Sequence, residues 1–252
     1  MSQRFAGKVL LATGGGSGLG AAVAQRFSRE GGRVAVIDMD AGRATAIARE
    51  LEGSIGLAAD VASEDGVRDA VAAAHKHFGR IDCAFNAAGH ADFGPIEEWT
   101  LERWNRMIGV HLGGTFLVCK NVLPIMRAQG GGSIVNTASI AAIVAQPFNA
   151  PYGAAKSAIA GFSRQLALEA APLVRVNAVA PGRIRTNMTE PLWKQRAGGD
   201  VKAGAAQAAA LNMLKRVGEP DDIAAPVCFL LSDEAAFMTG TLLVPDGGET
   251  CI

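Results

Sequence analysis

Short apolar runs alternate along the chain with longer segments whose apolar residues recur every three or four positions. Lys8 to Thr13 is such a run, bounded by glycines and too brief for a helix, which predicts a buried strand. Leu19, Val23 and Phe27 then fall at helical spacing, and Gly31-Gly32 ends the helix. Arg33 to Ile37 reads as a second strand ending in Asp38, Ala41 to Glu52 as a helix and Ser54 to Ala59 as a third strand. Ser63 caps a helix whose apolar face is Val67, Val71, Ala74 and Phe78, with His75 and His77 off that face; Ile81 to Phe85 follows as a strand. A long helix is predicted from Thr100 to about Gln129, kinked or ended by Pro124. Ser133 to Ala138 is a strand, the segment around Tyr152 a helix, Val174 to Ala178 a strand, Glu219 to Leu231 a helix with Pro226 inside it, and Thr241 to Val244 the last strand. No linker or internal repeat interrupts this order. The alternation predicts an α/β fold: one doubly wound parallel sheet of about seven strands with helices on both faces, a single domain over 1–252.

Composition narrows the function classes. With 252 residues, 49% hydrophobic and 19% charged, the chain has material for a substantial core. Lys+Arg and Asp+Glu both number 24, so bulk charge offers no argument for a nucleic-acid or membrane-surface partner. No apolar run approaches the ~18–20 residues of a membrane span. Met1-Ser2-Gln3-Arg4-Phe5 runs quickly into the first strand without a signal peptide's apolar stretch. Cys83, Cys119, Cys228 and Cys251 are widely spaced, with no CxxC pair, and no metal site is expected. A cytoplasmic protein with reduced thiols is the expectation.

Two stretches carry candidate chemistry. The first, Gly14-Gly15-Gly16-Ser17-Gly18-Leu19-Gly20, lies between a strand and a helix and opens a βαβ unit whose second strand ends in Asp38. Glycines there let the backbone turn tightly and approach a pyrophosphate, whose charge sits at a helix N-terminus. Asp38 is placed to accept hydrogen bonds from an adenosine ribose and to repel a 2′-phosphate; the lesser alternative is a cap for the next helix. The second stretch is Tyr152-Gly153-Ala154-Ala155-Lys156. A spacing of four puts the phenol and the ammonium on one helix face. A fixed positive charge favours the phenolate and lowers its pKa from ~10, making the pair an acid–base device. Taken alone, the same spacing also describes a solvated surface pair.

The glycines do not fit GxGxxG, because a frame starting at Gly14 requires glycine where Leu19 stands. The frame present is Thr13-Gly14-x-x-x-Gly18-x-Gly20. Together with Asn86-Ala87-Ala88-Gly89, Ser139 thirteen residues before Tyr152, the Tyr152–Lys156 pair and Pro181-Gly182-Arg183-Ile184-Arg185-Thr186, it resembles the classical short-chain dehydrogenase/reductase family. The resemblance runs from Lys8 to Gly248 and implies a Rossmann-type fold. It implies NAD as cofactor, bound by Gly14, Ser17, Gly18, Leu19, Gly20, Asp38, Asp60, Val61, Asn86, Ala87, Gly89, Tyr152, Lys156, Pro181, Gly182, Ile184 and Thr186. Ser17, where relatives preferring NADP often carry a basic residue, agrees with NAD; Arg33 and Arg43 argue the other way or are surface charges. Catalysis is implied at Ser139, Tyr152 and Lys156, with residues 187–215 as a mobile substrate lid and a homotetramer as the assembly.

Two departures stand out. Val110-His111-Leu112 replaces the family's Val-Asn-Leu, so His111 occupies the place of a catalytic asparagine; it either joins a proton relay or fills the space. Pro245 intrudes before Asp246-Gly247-Gly248. The expected reaction is NAD(H)-dependent interconversion of a secondary alcohol and a ketone, with the small-molecule substrate touching Ser139, Tyr152 and Gln146. Ile140, Phe148, Asn149, Gly182 and Trp193 are further pocket candidates. Arg183 and Arg185 could meet a phosphate, an acidic substrate or only water. A 3-oxoacyl-thioester reductase of the same fold and a catalytically silent dinucleotide-binding protein are the alternatives.

Overall fold

The computed structural model describes residues 3–251; Met1 and Ser2, with which the expectation about the N-terminus begins, lie outside them. Seven parallel strands form one sheet in the order β3-β2-β1-β4-β5-β6-β7. They are β1 (Val9–Thr13), β2 (Arg33–Asp38), β3 (Ile55–Ala58), β4 (Cys83–Asn86), β5 (Gly132–Thr137), β6 (Val174–Val179) and β7 (Leu242–Leu243). The inner strands read as unbroken apolar runs because both their faces are covered. Side chains still alternate. Val9 and Leu11 join the core beneath α3 (Glu64–Phe78), α5 (Gly114–Ala128) and α6 (Ala150–Ala170). Leu10 and Ala12 join the opposite core beneath α1 (Gly18–Arg29) and α9 (Pro220–Leu231).

Register positions the site. Thr13 pairs with Ile37 on one side and Asn86 on the other, Asn86 pairs with Asn136, and Thr137 pairs with Val179. The C-terminal ends of β1, β2, β4, β5 and β6 therefore form one edge. Strand order reverses there between β1 and β4, which opens a crevice.

Ser63 caps its helix as expected, whereas the cap of α2 (Ala41–Glu50) is Asp40 and not Asp38. Ser63 accepts a hydrogen bond from the Gly66 N–H at the start of α3, and Asp40 accepts one from Arg43 N–H at the start of α2. The long helix differs. It divides into α4 (Leu101–Ile108), a π turn over Gly109–Gly113 and α5, and Pro124 lies inside α5 without ending it. Pro124 and Lys120, whose carbonyl loses its helical donor, are both exposed, so that carbonyl is not stranded in the core. The irregularity sits instead at the π turn, which contains His111.

The stretch Leu101–Ala128 is long and apolar enough, by length and composition, to cross a membrane, contrary to the sequence expectation. Here Val118, Cys119, Val122 and Met126 pack into the sheet's core, which accounts for its apolar character.

Residues 187–215 contain two helices, α7 (Glu190–Arg196) and α8 (Val201–Ala209), with a small core of their own: Trp193, Ala205 and Ala208 against Val217. Arg185 pins the start of this segment through Glu190 at 3.0 Å and Glu219 at 3.1 Å.

Candidate active site

The crevice at the strand ends is a cavity of about 1030 Å³. At one end the glycine turn lies against β2. Gly14 has φ +60°, favourable only to glycine, and a Cβ on Gly20 would overlap the Gly14 carbonyl oxygen. Thr13 ties this turn to β4, its Oγ1 accepting from Ala87 N–H at 3.2 Å and Ala88 N–H at 3.4 Å. Gly14, Ser17, Gly18, Leu19, Gly20, Asp38, Asp60, Val61, Ala87 and Gly89 all line the cavity, as do Pro181, Gly182, Ile184 and Thr186 further along.

Asn86 does not line it. Its side chain is buried and donates to Asn136 Oδ1 at 2.8 Å, while Asn136 donates to Ser163 Oγ at 2.9 Å. Asn86 thus ties β4 to β5 and α6 through the core. It occurs next to residues that do face the crevice because side chains alternate along a strand.

Ser139, Tyr152, Lys156 and His111 meet in the middle of the cavity. Ser139 follows β5 and accepts from Ala141 N–H at 3.2 Å, while Ile140 N–H binds Pro181 O at 3.1 Å, joining this loop to the end of β6. Tyr152 and Lys156 stand one turn apart near the start of α6. Lys156 Nζ donates to Thr137 O at 2.7 Å and lies 5.5 Å from the centre of the Tyr152 ring.

Burial governs their titration. It lowers the Lys156 ammonium to about 7 from its ordinary 10.5. It also raises the Tyr152 phenol above 10, opposed by a hydrogen bond with Ser139. Desolvation is the larger effect on the phenol, so its pKa moves up here, opposite to the lowering anticipated from its spacing to Lys156.

His111 is 1% exposed. Its ring meets Tyr152 edge-on, with centroids 5.3 Å apart and planes at 88°. Nε2 lies 3.2 Å from His90 N and 3.0 Å from His90 O, so either neutral tautomer finds a partner there. Nδ1 is buried without a hydrogen bond. Burial, and then the Lys156 charge, push its pKa well below 6.5, so the imidazole is neutral at neutral pH. A Cβ on Gly89 would overlap the His111 ring, so the glycine before His90 is what admits the histidine.

Several predicted pocket residues lie elsewhere. Gln146 lines a separate cavity of about 450 Å³ with Phe148 and Asn149, and its Oε1 accepts from Asn149 Nδ2 at 3.1 Å. Trp193 is 4% exposed, in the core of the 187–215 segment, and Ile140 is buried. Of these candidates Gly182 lines the main cavity. Arg183 is paired with Glu249 at 2.9 Å and Arg185 with two glutamates, so neither points a free charge inward. His90, Arg106 and Leu192, by contrast, line the main cavity without having been singled out, as does Met188 of the expected lid segment. His90 directly follows Gly89 and was within reach of the motif; the others carried no signal in their spacing.

Comparison with known proteins agrees with this geometry. The family model described as enoyl-(acyl carrier protein) reductase matches residues 14–250. D-threitol dehydrogenase of Mycolicibacterium smegmatis is 40% identical, over 98% of this chain and 94% of its own length. Levodione reductase of Leifsonia aquatica is 38% identical, over 99% and 96%. The crystal structure of levodione reductase superposes with a TM-score of 0.92 at 37% identity, covering 98% of this chain and 99% of that one. The ligand-free aldohexose dehydrogenase of Thermoplasma acidophilum gives a TM-score of 0.91 at 31% identity, over 99% and 96%. The chain belongs to the short-chain dehydrogenase/reductase family. It is an oxidoreductase of the kind that acts on CH–OH groups.

Proposed function

We propose that the chain interconverts a secondary alcohol and a ketone with NAD(H), using Ser139, Tyr152 and Lys156. The observation that carries this reading is their convergence, with His111, in the same cavity as the glycine turn and Asp38. The residues fit a dinucleotide. A Cβ on Gly18 would meet nothing nearer than Thr186 at 3.6 Å, so the turn is open at that point, and buried Asp38 lines the same cavity as Ile184 and Thr186. Asp38 would accept from the adenosine ribose and disfavour a 2′-phosphate. Ser17 to Gly20, at the N-terminus of α1, would hold the pyrophosphate. When bound, the nicotinamide supplies hydride transfer.

The chain's own residues supply the proton and the electrostatics. Tyr152 carries its proton in the neutral range, so it donates to the oxygen of a ketone being reduced and must first lose that proton to accept one from an alcohol. Ser139 donates a hydrogen bond to the same oxygen and stabilises its developing charge. Lys156, held by Thr137 O, binds the nicotinamide ribose. His111, neutral and locked to the His90 backbone, orients the Tyr152 ring and is not a base. Reduction should accordingly be fastest on the acid side and fall as the phenol ionises, while oxidation should accelerate toward alkaline pH.

The names of the relatives include threitol, levodione and an aldohexose, which supports a small hydroxylated or carbonyl-bearing substrate. The family description names an acyl-carrier substrate, and hydroxyacyl thioesters belong in the test for that reason. NADH formation across polyols, sugars, cyclic secondary alcohols and hydroxyacyl thioesters is the assay. We expect turnover with one of the first three classes. Tight NADH binding with no turnover on any class would instead favour a silent dinucleotide-binding protein. Cytoplasmic location, a lid over residues 187–215 and a homotetramer complete the proposal.

A further inference from the structure

Gly182, Ile184 and Thr186 line the main cavity, but Arg183 among them does not. Its guanidinium meets Glu249 in a fork: Nε lies 3.1 Å from both carboxylate oxygens and Nη2 2.9 Å from Oε1. The two side chains are 16% and 9% exposed. A forked arginine–carboxylate pair fixes distance and angle together, and salt screens a pair so sheltered only weakly. Leaving either charge alone at such a spot is costly, so the pair stays formed.

Glu249 is itself held in place. The Asp246 carboxylate accepts from Gly248 N–H at 2.8 Å, Thr250 N–H at 2.7 Å and Thr250 Oγ1 at 2.8 Å, which closes the C-terminal turn around Glu249. The same turn meets the cavity wall again: Gly182 N–H donates to Pro245 O at 3.2 Å, and a Cβ on Gly182 would overlap Asp246. It also meets the end of residues 187–215, where Leu214 N–H donates to Gly247 O at 3.2 Å. The strip from Gly182 to Thr186 has a second tie, to Gly218, which accepts from Arg185 N–H at 2.8 Å and donates to Arg183 O at 2.9 Å. Position matters at this strip. Hydride and proton reach neighbouring atoms of a substrate, so a nicotinamide must lie beside the Tyr152 hydroxyl. Ile140, the residue after Ser139, binds Pro181 O through its N–H at 3.1 Å, which brings the start of the strip to that spot.

We propose that Glu249 is a positioning residue: through Arg183 it holds the strip from Gly182 to Thr186 as the surface on which the nicotinamide is seated for hydride transfer. This rests on the dinucleotide reading of the cavity. Neither Arg183 nor Glu249 lines the cavity, so both act through the backbone between them and the bound ring.

The test titrates the full-length protein with NADH, followed by fluorescence, and with ADP-ribose, which lacks the nicotinamide, followed by calorimetry. Wild type is compared with Glu249→Gln, and with Arg183→Lys as the independent check, since lysine keeps the charge and loses the fork. A strip out of place weakens only the nicotinamide half. NADH affinity should therefore fall about tenfold in both variants, the scale of a lost hydrogen bond between charged groups, while ADP-ribose affinity stays within about twofold of wild type. On the best substrate kcat should fall by a similar factor or more, because a misplaced reacting carbon costs rate as well as binding. Equal losses of NADH and ADP-ribose affinity, the mark of a merely structural pair, would overturn the proposal, as would unchanged NADH affinity in both variants. Failure of wild type to bind NADH would overturn the dinucleotide reading along with it.

Discussion

Tyr152 and Lys156 sit in an environment whose dryness matters more than their charges. Lys156 is held at about 7 where a free lysine is near 10.5. Between those values the unfolded chain binds a proton that the folded chain does not, so this residue's contribution to stability rises with pH from about 7 to about 10.5. Lys156→Met should therefore melt higher than wild type at pH ~7, with the difference shrinking toward pH ~10.5, while turnover is lost. A lower melting temperature at neutral pH would mean that the bond to Thr137 O outweighs the cost of burying the ammonium. His111 makes an opposite kind of prediction. A neutral, buried imidazole adds no ionisation in the neutral range, so His111→Asn should leave the apparent pKa values of the pH–rate profile in place and alter kcat alone. An apparent pKa that moves would show that His111 titrates during turnover. Ser139, Tyr152, Lys156 and Asp38 were named from the sequence because their motifs resemble the family's, the spacing alone leaving a turn serine, a surface pair and a helix cap open; the structure brings all four to one cavity. Asn86 and Gln146 were not, because spacing does not say which way a side chain turns: one ties strands together, the other faces a neighbouring cavity.

Among the elements, the break in the long helix and the 187–215 segment were the least readable. Proline marked a kink at 124, yet the solvent side tolerates it, and the π turn formed around His111 instead. Gly89 and His111 belong together across twenty-two positions of sequence, a pairing that only packing reveals. The 187–215 segment holds itself together through Trp193 on Ala205 and Ala208, apart from the two main cores. Truncating a buried aromatic costs ~3–5 kcal/mol, and here the loss falls on the local unit. Trp193→Ala should thus raise KM and speed proteolytic cleavage within 187–215 while shifting the main melting transition little. A large drop in the global melting temperature, with unchanged local cleavage, would show that this segment folds as part of the main core. Gly20→Ala tests the other end of the cavity: a Cβ there forces the glycine turn apart, and NADH affinity should fall by more than tenfold, a loss of over ~1.4 kcal/mol.

At the scale of the whole molecule, strand order and register do most of the work. Alternating apolar runs and amphipathic helices made the parallel sheet legible, since few arrangements bury both faces of so many short apolar strands. The sequence did not disclose the strand order and register that bring five strand ends level, which is what gathers residues from position 14 to position 192 into a single cavity. The central claim about that cavity is that the Tyr152 hydroxyl is the proton donor, while most of the dinucleotide's affinity comes from other groups that line it. Tyr152→Phe keeps the ring against His111 and removes only the hydroxyl. Turnover of the best alcohol should fall by at least about 10²–10⁴-fold, the range of a lost general acid–base group, while NADH titrated by fluorescence still binds with near wild-type affinity. Turnover close to wild type in Tyr152→Phe would contradict the account.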